Sequence, residues 1–353
     1  MDHRYFSKKV VEWYEENKRI LPWRNTKDPY KVWLSEIILQ QTRVSQGLPY
    51  YKSFVREFPT VHDLASAPVQ KVLRLWQGLG YYSRARNLHK AAKELSKKFN
   101  GKFPSTFVAL KQLPGIGDYT AAAIASFSFG EAVAVVDGNV FRVLARIFGI
   151  DTPINTPAGK KYFSELANAL IDKDDPATFN QAIMEFGALH CTPKNPSCST
   201  CVFRSACTAY KHESQQLLPV KLAMKKSRKR YFNYYVVKSK QSLLMNSRNG
   251  KDIWTGLYDF YLVENTKASK PEKAFDENAF LKSLKSKIAT TELSKTYKHI
   301  LSHQTIFARF TLITLKNKPS SLPENMRFYS INKVAELPKP VLISRFLQDF
   351  SLL

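Results

Sequence analysis

All four cysteines of this 353-residue chain sit in one short stretch: Cys191, Cys198, Cys201 and Cys207, spaced C-x6-C-x2-C-x5-C. A disulfide framework would spread its cysteines along the chain. Confinement to one loop lets four thiolates converge on one centre, which points to a metal or cluster site in a reducing compartment. Four thiolates suit either zinc or an iron–sulfur cluster, and the spacing alone does not choose. Paired C-x2-C knuckles would favour zinc, and only one such pair is present. Lys194, Arg204 and Lys211 surround the loop, so even a purely structural centre would hold a positive segment able to face phosphates.

Single hydrophobic cores stop growing at about 250–300 residues, so a chain of this length is expected to form two domains. Its 44% hydrophobic and 13% aromatic content excludes a disordered chain. Lys and Arg number 54 against 29 acidic residues, a net charge of +25. That excess implies a polyanionic partner. Charge alone does not separate a nucleic acid from an anionic membrane or from a basic protein without such a partner. The start, Met1-Asp2-His3-Arg4, leads into no apolar run, so a secretory signal is not expected. The apolar stretch 121–129 is broken by serine and stopped by Gly130 and Glu131, short of the roughly 20 residues needed to cross a bilayer. The expected location is intracellular, cytoplasmic in a bacterium, with no membrane partner.

Residues 1–210 read mostly as helix. Pro29 after Asp28 has the form of a first helical residue after an N-cap, opening a helix over 29–41. Further helical patches cover 69–76, 84–98, 109–113, 120–129 and 140–148. In the last, Val140, Val143, Leu144 and Ile147 recur with helical spacing. Composition shifts after Lys211. A linker is expected over 217–230, carrying the basic run Lys225-Lys226-Ser227-Arg228-Lys229-Arg230. Strands follow over 231–237, 257–263 and 305–315, with helices over 277–288 and 341–350, a smaller α+β domain. The expected division is 1–216, including the cysteine loop 191–207, then the 217–230 linker, then 231–353.

Three motifs carry possible chemistry. Leu113-Pro114-Gly115-Ile116-Gly117 lies between two helical patches. Its glycines can adopt φ > 0 and let a phosphate approach the backbone at the start of the next helix. Its plain reading is an ordinary helix–helix turn. Asp137, in Asp137-Gly138-Asn139, closes an apolar run before an amphipathic helix. It reads as an N-cap or as a carboxylate facing a developing cation. Glu36 interrupts an apolar helical stretch in which Val32, Trp33, Leu39 and Gln40 share its face. A carboxyl there is desolvated, which raises its pKa and suits a general acid. The alternative is a solvated glutamate on a polar face.

Together these features resemble the endonuclease III superfamily of DNA glycosylases, over nearly all of residues 1–210. Within it, the chain resembles the adenine DNA glycosylase (MutY) family, on Leu21-Pro22-Trp23-Arg24, on the stretches 29–36, 39–42 and 78–89, and on 136–140. The resemblance implies a mainly α helix–hairpin–helix region and a [4Fe–4S] cluster on the four cysteines. The lyases of the superfamily carry a lysine where this chain has Tyr119, which implies a monofunctional glycosylase. The C-terminal region resembles the Nudix-like domain of the same family, without the Nudix catalytic box, so no pyrophosphatase activity is expected. Leu301-Ser302-His303 stands where the family has Phe-Ser-His in a lesion-recognition loop. The resemblance implies that Ser302 would contact the lesion, while Leu301 in place of the phenylalanine puts that residue's stacking or packing role in question.

The resemblance further implies excision of adenine mispaired with 8-oxoguanine or guanine in double-stranded DNA, by a monomer. An enzyme acting on a base must take it out of the stack. Leu113, Gly115 and Gly117 would hold phosphates; Leu39, Gln41, Thr42 and Tyr81 would fill the gap and contact the lesion strand; Trp23, Arg24 and Glu185 would line the adenine pocket. Glu36 would protonate adenine at N7, and Asp137, oriented by Tyr119 and Asn139, would stabilise the oxocarbenium-like sugar or capture it covalently. Two other readings stand beside this one: a bifunctional pyrimidine glycosylase/lyase, and a non-catalytic iron–sulfur DNA-binding protein.

Overall fold

The structure is a computed structural model that describes residues 2–223 and 227–353. The chain forms two compact units: Met1–Ser66 with Asn87–Met224, and Ala67–Arg86 with Lys225–Leu353. The division in space therefore differs from the linear one, because 67–86, expected with the helical region, packs with the C-terminal part. Lys225 and Lys226 of the basic run lie outside the described residues.

Helices run in the order α1 (His3–Asn17), α2 (Pro29–Leu39), α3 (Val44–Glu57), α4 (Val61–Ser66), α5 (Val69–Leu75), α6 (Ser83–Phe99), α7 (Phe107–Leu110), α8 (Asp118–Phe129), α9 (Gly138–Phe148), α10 (Pro157–Leu170), α11 (Pro176–Leu189) and α12 (Thr208–Lys211). Local chemistry sets their starts. Asp28, Thr106, Asp137, Thr156 and Asp175 each cap a helix with a side-chain oxygen, and proline takes the first position of α2, α10 and α11. The apolar face read on α9 is buried, Val140, Val143, Leu144 and Ile147 included. It packs in one core with Phe6, Val10 and Trp13 of α1, Phe163 of α10, and Phe179 and Phe186 of α11. Each such buried side chain contributes about 1.5–3 kcal/mol. The helix expected over 29–41 ends at Leu39, because Gln41 takes a left-handed backbone, φ 54°.

The second unit is built on a mixed sheet. Its strands are β1 (Arg228–Ser239), β2 (Ser242–Ser247), β3 (Tyr258–Asp259), β4 (Tyr261–Asn265), β5 (Ile288–Leu293), β6 (Tyr297–Ile300), β7 (Gln304–Leu315) and β8 (Met326–Ser330). The path is β3-β2-β1-β7-β5, with β4 on β1, β6 on β7 and β8 on β2. β1 and β7 pair in parallel from Arg228↔Gln304 to Lys238↔Thr314; the other pairs are antiparallel. β1 is covered on both faces, burying Tyr234, Tyr235, Val236 and Val237 in succession, as a parallel central strand does. The expected linker thus ends inside a strand, since Arg228, Lys229 and Arg230 open β1.

The helix expected over 277–288 breaks into α13 (Ala274–Glu277) and α14 (Ala279–Leu284), and Ile288 begins β5. Asn278 breaks it by capping α14 with its own side chain. α15 (Ile331–Glu336) and α16 (Val341–Asp349) complete the unit. Phe346 of α16 stacks on Phe310 of β7 with ring centres 4.2 Å apart.

Candidate active site

Within the helical unit, α2, α8, α11 and the start of α9 surround a cavity of about 660 Å3. α2 presents Val32, Ser35, Glu36 and Leu39 to it, one helical stripe. Trp33, expected on that face, turns away and packs edge-on against Phe103 at 5.5 Å, and Gln40 bonds Thr120. Glu36 is 6% exposed. Burial pushes its carboxyl up to about 7, against the opposing pull of a hydrogen bond that the Tyr119 hydroxyl donates at 2.6 Å. The expectation that Tyr119 orients Asp137 is thereby corrected: its hydrogen bond goes to Glu36. Burial and the neighbouring carboxylates hold the phenol proton on, so Tyr119 acts as a donor.

Asp137 caps α9 and lines the same cavity. The backbone N–H groups of Asn139 and Val140 donate to its Oδ1, each at 2.8 Å, and the Asn139 amide donates to Oδ2 at 2.8 Å. Burial raises its pKa, while these donors and Arg142 favour the anion. The capping and functional readings therefore coexist in one side chain. Asn139 is itself fixed by Arg142, which bonds its Oδ1 and the carbonyls of Gly187 and Cys191.

Glu185 is a third, different carboxylate. Only 1% exposed, it receives paired hydrogen bonds from both Arg19 and Arg24. Burial raises its pKa, but the two guanidiniums outweigh that and hold it at about 2. Trp23 lines the cavity beside them, edge-on to Tyr51 at 5.1 Å. Sequence reasoning missed Arg19, together with Gln181, Met184, Arg43 and Ser45 of the lining. The one available signal for Arg19 was that a buried Glu185 needs a cation, and spacing does not say which.

Thr42 joins the lining; Gln41 is not part of it and stands exposed in the α2–α3 turn. Tyr81 and Ser302, far apart in the sequence, line a separate cavity of about 460 Å3 within the second unit, with Leu301, His303 and Trp254.

At the hairpin, Gly115 has φ 77°, and a Cβ there would come within 2.6 Å of Asn87. The expectation of φ > 0 fails at Gly117, which is the N-cap of α8 at φ −94°. Leu113 is buried beneath the turn.

The cysteine loop follows α11. Arg146 reaches Cys191 Sγ at 3.6 Å, and the Phe203 N–H reaches Cys201 Sγ at 3.4 Å. Burial pushes the Cys198 and Cys207 thiols up and Cys201 to about 11, with the neighbouring thiols adding to each shift. Among the described residues, no group of three or more His, Cys, Asp or Glu side chains is placed to hold a metal ion.

Residues 34–171 match the model of the HhH-GPD superfamily of base excision DNA repair proteins, and residues 233–349 match that of the NUDIX domain. The adenine DNA glycosylase of Buchnera aphidicola subsp. Baizongia pistaciae is 35% identical over 350 residues, covering 95% of this chain and 94% of the relative. The human adenine DNA glycosylase is 44% identical over 223 residues, covering 60% of this chain and 41% of the relative. Among solved structures, a thermostable thymine-DNA glycosylase superposes with a TM-score of 0.56 at 29% identity, over 60% of this chain and 97% of that one. An endonuclease III in a DNA complex does so at 0.53 and 22% identity, over 60% of this chain and 98% of that one, which shares the fold. The chain belongs to the adenine DNA glycosylase family, base-excision enzymes with a helix–hairpin–helix region and a Nudix-like domain.

Proposed function

We propose that the enzyme excises adenine mispaired with 8-oxoguanine, and with guanine, by acid catalysis from Glu36. The observation that carries this is the pairing, in one cavity, of a buried carboxyl raised to about 7 with a carboxylate anchored by three N–H donors. Glu36 holds a proton near neutral pH and gives it to adenine N7, which turns a poor leaving group into a neutral one. Asp137, with more donors to its anion, faces the positive charge left on the sugar, as an electrostatic partner or as a nucleophile. Trp23 and the Arg19–Glu185–Arg24 clamp form the wall that receives the base.

Gly115, Gly117 and Leu113 place the hairpin to take phosphates. Leu39, Gln41, Thr42, Tyr81 and Ser302 contact the lesion strand. A lyase would need an amine at position 119, where the tyrosine hydroxyl is engaged with Glu36; the reading is of a monofunctional glycosylase acting as a monomer.

The donor set suits a sulfur-ligated cluster: four free thiols on one loop, an arginine beside Cys191 and a backbone N–H on Cys201. Cys191, Cys198, Cys201 and Cys207 would hold a [4Fe–4S] cluster, which would replace their protons and draw their sulfurs together from the positions they take without it.

The test is single-turnover cleavage of A:8-oxoguanine, A:G and T:G duplexes in parallel, with borohydride trapping on abasic DNA. Adenine release lost in Glu36→Gln, with lesion binding retained, is expected. Normal turnover by that variant removes Glu36 from the chemistry. Faster T:G cleavage favours the thymine activity carried by the similar solved structure, and strong trapping favours a lyase.

A further inference from the structure

The stretch Leu337-Pro338-Lys339-Pro340 crosses the second unit between α15 and α16. Prolines lack a backbone N–H, so Lys339 supplies the only backbone donor of residues 338–340. That donor goes to the Gln77 side chain at 3.1 Å, and the Lys339 carbonyl accepts from the Tyr82 hydroxyl at 3.3 Å. Gln77 also donates to Ser344 at 3.1 Å, and Pro338 accepts from the Tyr258 N–H at 2.9 Å. The stretch is a strap, bonded on one side to the sheet and on the other to the segment after α5.

The side chain of Lys339 bonds the strap to the end of α15. Lys339 is 1% exposed, and its ammonium donates to the carbonyls of Val334, Ala335 and Leu337. These lie at the C-terminal end of α15, where carbonyls lack helical partners and a cation is favoured. Burying a lysine ammonium against carbonyls is costly, and surface packing alone would not call for one. Burial, then Arg74, hold its pKa down to about 8.

The segment so held carries the 78–82 turn. Gly78, Gly80 and Tyr81 all have left-handed backbones, φ 107°, 74° and 48°. For a tyrosine that conformation is strained and must be imposed by its surroundings. The Trp76 indole bonds the Gly80 carbonyl at 3.0 Å, and the Arg84 guanidinium lies over both the Trp76 and Tyr81 rings. The seat for that turn is the Gln77–Lys339–Tyr82 set of bonds.

We propose that Lys339 is a positioning residue for lesion recognition: its buried ammonium pins the strap on which the 78–82 turn is seated, and so sets where Tyr81 stands opposite Ser302. This rests on the reading that Tyr81 and Ser302 contact the lesion strand. Lys339 touches neither DNA nor the reacting base, so its loss should alter discrimination and leave the excision chemistry intact.

The experiment uses the full chain with Lys339→Met, which keeps an unbranched apolar side chain of nearly the same length and removes its donors. Two quantities are measured. One is the ratio of dissociation constants for duplexes with guanine or 8-oxoguanine opposite a non-cleavable adenine analogue. The other is the single-turnover rate on A:G at saturating enzyme. The expected result is a loss of roughly tenfold in the binding ratio, the scale of a lost charge-assisted bond network, with the A:G rate unchanged. An unchanged ratio, or a fall in the A:G rate as large as the fall in the ratio, overturns the proposal. Should Lys339→Met fail to melt cooperatively, Gln77→Leu decides by the same two measurements. Tyr81→Ala separates the two layers of the argument. If it lowers the ratio while Lys339→Met does not, the lesion reading stands and the strap proposal falls. If Tyr81→Ala leaves the ratio unchanged, both fall.

Discussion

Replacing Tyr119 with phenylalanine tests the acid assignment directly, because it deletes the one oxygen that donates a hydrogen bond from this side chain to Glu36. That bond stabilises the ionised carboxylate and so holds its pKa below what burial alone would set. A hydrogen bond to a charged group is worth about 1.5–3 kcal/mol, and a pKa unit about 1.4 kcal/mol, so its loss should raise Glu36 by roughly one to two units. The wild-type excision rate should fall as pH rises through about 7, where the acid gives up its proton. In Tyr119→Phe the same limb should move to about pH 8–9, given that shift. At pH 8 about a tenth of the wild-type sites and at least half of the variant sites would hold the proton, from the same arithmetic. The variant should therefore lose less of its own maximal rate than the wild type between neutral and mildly alkaline pH. The assay is single-turnover adenine release at saturating enzyme over the range of about pH 5.5–9.5, so that binding does not mask the chemical step. A limb that stays in place, or moves toward acid, refutes the claim that Glu36 is the acid and Tyr119 its tuning donor.

Glu36 also bears on stability. Its pKa is raised from 4.5 to about 7, so the folded state holds its proton more tightly, and stability falls as pH rises from about 4.5 to 7. The loss, about 3 kcal/mol by linkage, should be absent in Glu36→Gln, which should melt at higher temperature than the wild type at pH 8; equal melting curves there contradict the buried-acid account. Glu185→Gln leaves two arginines facing a cavity wall without their anion and should cost roughly 3 kcal/mol along with adenine excision, read by denaturant unfolding; a variant of unchanged stability would mean that the clamp is solvated. The isolated protein should be brown and yield iron and sulfide, and replacing Cys201 with serine should lower both together with the melting temperature. A colourless protein containing zinc would contradict the cluster.

What the sequence determines by itself is what short-range chemistry controls. Asp28-Pro29 starts α2, Asp137 caps α9, and the spacing of Val140, Val143, Leu144 and Ile147 selects a buried face, because capping bonds and helical periodicity act within a few residues. The four cysteines and the Gly115 turn are legible for the same reason. The tertiary structure decides who meets whom. Tyr119 binds Glu36 across 83 positions and not Asp137 close by, and Arg19 joins Arg24 on Glu185 across 166. Asn278 turns an expected helix into two, and Ala67–Arg86 leaves its sequence neighbours to join the C-terminal unit. Long-range pairing depends on burial and on the cost of leaving a charge or a hydrogen-bonding group without a partner. Those quantities exist only once the chain has folded, so no local pattern carries them.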